Sequence, residues 1–147
     1  MWRARFPAVT DDRLVHLLVA LGLCGLFLRV RQRNYSGYQW VAALSMAGLA
    51  SWVPDWDLFL GIGFHRSPIT HSVLPALAIG WLILKLNAPS AFLVGFLLGL
   101  SSHLLWDIVD YGNVVWIPGG NNDRLFLLVN SLLLLVAAAY YTRSIER

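Results

Sequence analysis

Residues 91–109 read AFLVGFLLGLSSHLLWDIV, an apolar run close to membrane-spanning length that carries His103 and Asp107. About 20 such residues take a straight helix across a bilayer, so the stretch predicts a membrane helix. An imidazole and a carboxylate at that depth are costly unless they pair, hold a metal or line a wet cavity. The i,i+4 spacing of His103 and Asp107 puts both side chains on one helix face, where they can grip a single ion.

Four further apolar segments surround this one, at residues 14–30, 38–53, 68–86 and 125–141. Each is about 16–19 residues long, at or just under a straight span, and the first is short enough to lie in the interface instead. The chain has 147 residues, 58% of them hydrophobic and 13% charged, with a mean hydropathy of +0.63. That balance excludes an ordinary soluble domain. It predicts an all-α fold, one integral-membrane domain over residues 1–147, built as a multi-pass bundle of about five (four to five) transmembrane helices. Seven tryptophans and five tyrosines, several near segment ends, fit the aromatic belts of a bilayer.

The net charge of +3 comes almost wholly from arginine, Lys85 being the one lysine. The arginines group at 3/5/13, 29/31/33 and 143/147, outside the apolar runs. They flank a membrane and form no nucleic-acid stripe, so the expected partner is the lipid bilayer and no nucleic acid. With five spans the two faces carry five and six basic residues, a tie under the positive-inside rule. Setting aside Arg66 or Arg124 makes the face with Arg29, Arg31 and Arg33 cytoplasmic. Cys24, the single cysteine, lies mid-segment as packing. The first apolar run ends in Leu28-Arg29-Val30-Arg31-Gln32-Arg33, with no small-residue cleavage site, so it reads as a retained segment. Gly95-Phe-Leu-Leu-Gly99 permits close helix approach, inside the bundle rather than between chains.

The remaining ionisable residues gather in two places. Pro54-Asp55-Trp56-Asp57 closes the second segment, and His65-Arg66-Ser67-Pro68-Ile69-Thr70-His71-Ser72 opens the third. The fourth segment runs parallel to the second, so His103, Asp107 and, at its tip, Asp110 return to that same face. Asp55, Asp57, His65, His71, His103 and Asp107 are therefore the candidate metal ligands. Six ligands exceed the three protein ligands of a hydrolytic zinc site and suit a two-metal clamp. The cofactor is one or two divalent ions; mixed imidazole and carboxylate ligation fits Zn, Mn or Fe. Ser67-Pro68 reads as an N-cap followed by Pro at N1, with His71 in the first helical turn and Pro75 kinking the helix. Arg66 is a candidate catalytic residue that either meets a substrate phosphate or neutralises Asp55 or Asp57. Asp110 or Asp123 is the candidate general base or supporting carboxylate. The loop 113–124, with Trp116 and Gly119-Gly120, lies over the same face as a potential lid. His16, near the start of the first segment, is left outside the site because its side depends on whether that segment spans.

At these residues the chain resembles the YdjM-type family of small inner-membrane proteins, predicted to be metal-dependent hydrolases. The resemblance rests on Pro54-Asp55-Trp56-Asp57, on His65-Arg66 with Thr70-His71-Ser72, on Ser102-His103 with Asp107, and on Asp110-Tyr111-Gly112-Asn113 through Trp116-Ile117-Pro118. It covers roughly residues 38–141. It implies an inner-membrane location and a metal-activated water. Leu58 stands where members often have histidine, and Ser67 where glycine is common, which removes one possible ligand of a second metal. The His-x3-Asp spacing is also similar to that of the zinc phospholipase C and P1 nuclease group, which points to a phosphoester or lipid-linked substrate. The alternative is a non-enzymatic metal-binding protein, a transporter or a metal-stabilised scaffold. Transport predicts ligands at the bilayer midplane with access from both sides, whereas these gather toward one face.

Overall fold

The structure, a computed structural model, describes residues 6–31, 35–110, 114–117 and 121–145. It holds five α-helices and, among the described residues, no strand: α1 (Phe6–Arg31), α2 (Gly37–Ala50), α3 (Leu74–Lys85), α4 (Ser90–Asp110) and α5 (Asn121–Ile145), with 3₁₀ segments at Pro54–Leu60 and Ile62–Phe64. Three helices are long and apolar enough to cross a membrane, over Arg13–Arg31, Ser90–Val109 and Asn121–Thr142. The other two are shorter than the sequence predicts. α2 has 14 residues and α3 has 12, about 21 Å and 18 Å at 1.5 Å per residue, against a hydrocarbon core of about 30 Å.

Local chemistry sets those limits. Ser36 opens α2 with a capping box, its hydroxyl accepting from Gln39 N while the Gln39 side chain accepts from Ser36 N, so two orphan amides are satisfied at once. α2 stops before Pro54, whose ring tolerates only the first turn of a new helix, and the chain continues as 3₁₀. Residues 67–72 do not join α3. Ser67 instead caps an isolated turn, with Thr70 N donating to its Oγ at 3.3 Å and His71 N to its carbonyl at 3.0 Å. α3 begins at Leu74 with Pro75 in its first turn, so this proline starts the helix rather than kinking it. Asn130 of α5 accepts from Val73 N at 3.0 Å and so caps α3 from across the bundle. Asn87, at φ 50°, closes α3, with Ala88 N reaching back to the Ile83 carbonyl at 3.1 Å in the left-handed manner of a Schellman turn.

α4 is the central helix. Its spanning stretch is 72% buried, against 22% in α1 and 33% in α5, and it packs on each of the other four. The packing is closest against α2. A Cβ on Gly95 would stand 2.8 Å from the Cα of Ala43, and one on Gly99 2.8 Å from the Cα of Ala47. Two small-xxx-small pairs thus mate face to face within one chain, bringing backbones together as glycine allows in lipid. On its other flank Ser101 and Ser131 exchange hydrogen bonds with α5, hydroxyl to hydroxyl at 2.8 Å and each to the other's carbonyl at 3.1 Å.

Candidate metal centre

The ends of three helices meet at one face: the start of α1, the end of α2 and the last turns of α4. Arg13 begins the spanning stretch of α1 and Val109 ends that of α4. His16 is three residues inside the first boundary and His103 six inside the second, depths of about 5 Å and 9 Å at 1.5 Å per residue. The 3₁₀ segment and the turns at 65–72 fold over this end. His16, Asp57, His71, His103 and Asp107 are all buried, Asp55 is 18% exposed and His65 30%.

Hydrogen bonding fixes which way the imidazoles face. His103 Nδ1 lies 2.6 Å from the carbonyl of Ser51, one of the carbonyls left without an intrahelical partner where α2 stops. A carbonyl only accepts, so Nδ1 carries the proton and Nε2 of the neutral ring presents a lone pair. His71 is set by a relay. The Thr70 hydroxyl donates to Asp57 Oδ2 at 2.6 Å, which leaves its oxygen to accept from His71 Nδ1 at 3.0 Å. His71 Nε2 therefore also presents a lone pair.

Both lone pairs point at the same place. His71 Nε2 and His103 Nε2 each lie 3.4 Å from Asp107 Oδ2, and none of these three atoms has a hydrogen-bond partner among the described residues. Asp55 Oδ1 stands 3.7 Å from His103 Nε2. Ligands of a tetrahedral ion at bond lengths of about 2.0–2.1 Å are spaced about 3.3–3.4 Å from one another, as are the two contacts of Asp107 Oδ2. Buried acceptors without donors are otherwise destabilising by about 1–3 kcal/mol each. Two overlapping sets of ligand atoms, Asp55/His71/His103 and His16/His103/Asp107, each fall within 4.8 Å of one another. The donor set and its spacing fit a divalent ion.

The other candidates take different places. Asp57 does not face this point: Oδ1 faces His65 Nδ1 at 3.2 Å, and Oδ2 accepts from Ser67 N at 3.0 Å as well as from Thr70. Burial pushes its carboxyl up, but the hydrogen bonds from His71, Thr70, Ser67 and His65 outweigh that and hold it well below the ordinary aspartate value. Burial pushes the His71 imidazole down, with the Asp57 carboxylate 3.4 Å away only partly offsetting the shift, so the neutral ligand form persists below the usual histidine range. Where the sequence reading sets Arg66 against Asp55 or Asp57, its guanidinium reaches Asp107 Oδ1 at 3.3 Å. Its backbone sits in the left-handed region at φ 62°, and its carbonyl accepts from Val115 N at 3.0 Å. Trp116, at φ 67°, meets Phe64 edge-on with ring centroids 6.0 Å apart. Residues 114–117 of the expected lid thus rest on the site's rim; Asn113, Gly119 and Gly120 lie outside the described residues, as does the Asp110 side chain. Asp123 is buried in the first turn of α5, where a carboxylate favours the helix N-terminus, and no described contact links it to the site.

His16 is the residue that the sequence reading leaves out. Its ring stacks on that of His103, centroids 4.0 Å apart and 13° from parallel, and its Nε2 lies 3.9 Å from Asp107 Oδ1. A lone imidazole just inside an apolar helix was the available signal.

With the centre in place, the chain can be set beside known proteins. A family model described as "YdjM inner membrane protein" matches residues 12–145. The chain belongs to the YdjM family. The match takes in His16 and α1 from residue 12 onward, beyond the stretch where the motifs lie. It is a membrane protein by family and by its apolar helices. No curated protein and no solved structure matches it.

Proposed function

We propose that this YdjM protein is an inner-membrane, multi-pass, metal-dependent hydrolase acting on a phosphoester, with one divalent ion held by Asp55, His71, His103 and Asp107 and with His16 at its edge. The observation that carries the reading is that His71 Nε2 and His103 Nε2 each lie 3.4 Å from Asp107 Oδ2, all three atoms without a hydrogen-bond partner among the described residues. The mixed imidazole and carboxylate set suits Zn, Mn or Fe, and zinc is the first ion to try. When bound, such an ion supplies Lewis acidity and brings the pKa of water down to about 7.

The chain's own residues do the rest. The Ser51 carbonyl and the Thr70 hydroxyl orient the two rings, as partners behind metal ligands commonly do. Asp57 gathers His65, Ser67, Thr70 and His71 into one fixed loop. Arg66 holds Asp107 and brings a positive charge to the side from which an anionic group approaches; Asp110, at the tip of α4, is the proposed general base. Transport is the weaker reading because the buried side chains of Leu100, Leu104 and Phe96 and the α2–α4 contact at Gly95 and Gly99 fill the bundle beyond the site, where a translocation path would have to run.

The test is metal content by mass spectrometry on detergent-purified protein, wild type beside His103→Ala and Asp107→Asn, followed by hydrolysis of bis(p-nitrophenyl) phosphate. Bound metal in the wild type, lost in both variants together with activity, is the expected result. A folded wild type that binds neither Zn, Mn nor Fe overturns the proposal.

A further inference from the structure

Two cavities outside the metal cluster share a wall. One, about 310 Å³, is lined by Arg13, Trp52, Asp55, Trp56, Leu58 and Phe59. The other, about 350 Å³, runs between α1 and α2 and includes Leu17, Leu21, Leu44, Ser45, Leu49 and, again, Trp52. Asp55, which stands 3.7 Å from His103 Nε2, is part of the first lining, and Trp52 is part of both. Arg13 to Leu21 on α1 spans eight helical rises, about 12 Å, and Leu44 to Trp52, from α2 into the turn after it, is the same number of residues. The helices run antiparallel, so the two walls are matched in length. As one passage the two would be apolar along the bundle, cationic at Arg13 and next to the cluster at Asp55.

We propose that this passage seats a lipid with a phosphate-bearing headgroup, its chain in the α1–α2 groove and its phosphate between Arg13 and the Asp55 edge of the cluster; the inference rests on the hydrolase reading and names its substrate class. Three observations combine. Arg13 begins a span, the depth at which lipid phosphates lie and at which arginine favours them. The joint volume is within the range of ligand pockets. A lateral groove admits a membrane lipid without its leaving the bilayer, whereas a water-soluble phosphoester has no use for an apolar channel of this length. Annular lipid alone does not explain why an arginine and an expected metal ligand, Asp55, line the same cavity.

The experiment is native mass spectrometry of the zinc-reconstituted protein in detergent with dioctanoyl phosphatidic acid, and with dioctanoylglycerol and inorganic phosphate as the two halves of that molecule. Phosphatidic acid is expected to be retained at least tenfold better than dioctanoylglycerol, and inorganic phosphate not to compete at equal concentration. Arg13→Gln and Ser45→Trp, both at exposed positions, should each weaken retention tenfold or more while the bound zinc stays unchanged. Equal retention of both lipids, or of phosphatidic acid by wild type and both variants, overturns the inference and leaves the groove to bulk lipid. Competition by inorganic phosphate alone overturns it in favour of a soluble substrate. Zinc is weighed in the same spectra: its absence defeats the hydrolase reading, whereas zinc without headgroup preference defeats only the lipid assignment.

Discussion

Replacing Thr70 by valine removes no proposed ligand and is the sharpest test of how the centre is built. The hydroxyl stands 2.6 Å from Asp57 Oδ2 and 3.0 Å from His71 Nδ1, so a single O–H satisfies a buried carboxylate and fixes the tautomer of a buried ring. Valine keeps the volume and deletes both bonds. Asp57 retains His65 and Ser67 N, so one donor of several is lost, a cost of about 1–3 kcal/mol to folding. His71 Nδ1 is left with Asp57 Oδ2 at 3.4 Å, too long for a good hydrogen bond, and the ring is freed to turn. Partners behind metal ligands are worth about 10–100-fold in affinity, or about 1.4–2.7 kcal/mol. A chelator-competition titration with zinc should therefore show Thr70→Val weakened by that factor, with Thr70→Ser close to wild type. A folded Thr70→Val protein with wild-type zinc affinity would refute the relay, and with it the role of His71 Nε2 as a ligand.

Three further outcomes follow from the same geometry. Stripping the metal should lower thermal stability: at free ion 1,000 times Kd, binding contributes about 4.1 kcal/mol, or about 8–16 °C in the melting temperature of a chain this size, and the shift should vanish in Asp107→Asn. Gly99→Ala should destabilise by about 1–3 kcal/mol or more, since its Cβ meets the Ala47 backbone at 2.8 Å, and should weaken zinc binding by displacing the helix that carries His103; a melt and a metal assay on the same sample check both. Asp57→Asn sets an amide where the structure needs an acceptor for three donors, so a loss of about 3 kcal/mol is expected. The sign of the pH effect follows: the folded carboxyl titrates below its ordinary 3.8, so its stabilisation is complete above that value and is lost as pH falls through the folded one. Acid melts of wild type, but not of Asp57→Asn, should show this loss.

What could be read in advance was whatever depended on spacing and on which membrane face a segment end occupies. His103 and Asp107 share a helix face because 3.6 residues make a turn, and Asp55 and His71 meet them because α2 and α4 run parallel. The close approach at Gly95 and Gly99 was also legible, since only packing inside the bundle needs two small residues a turn apart. Side-chain assignments were not legible, because they depend on backbone groups without a sequence signature. Nothing in the residue identities says that α2 stops in time for the Ser51 carbonyl to meet His103, or that Ser67 caps a detached turn instead of a helix. His16 was ambiguous for a related reason: its face follows from the direction of α1, and a segment of 17 apolar residues left that open. The polar extension of α1 back to Phe6 has no hydropathy signal.

The number of ions is where sequence and geometry part, and it can be settled by mass. Six candidate ligands suggest two metals, but a two-metal centre needs a bridging carboxylate and a second set of ligands about 3.5–4 Å from the first ion. His16 can add to the first set only by sharing His103 and Asp107 with it, so the residues left for a separate set are Asp57 and His65. Asp57 already faces His65 Nδ1, Ser67 N and Thr70 with its two oxygens, and His65 directs the same Nδ1 to it. A second ion would have to displace the bonds that hold the loop in place, at about 1–3 kcal/mol for each charged bond lost. One equivalent of zinc is therefore expected in the wild type. His65→Ala should keep that equivalent with an affinity within about tenfold, as befits a partner behind the ligands. Asp57→Ala should lose it only through disorder of the loop bearing His71. Two equivalents in the wild type, falling to one in His65→Ala, would place His65 among the ligands and restore the two-metal site.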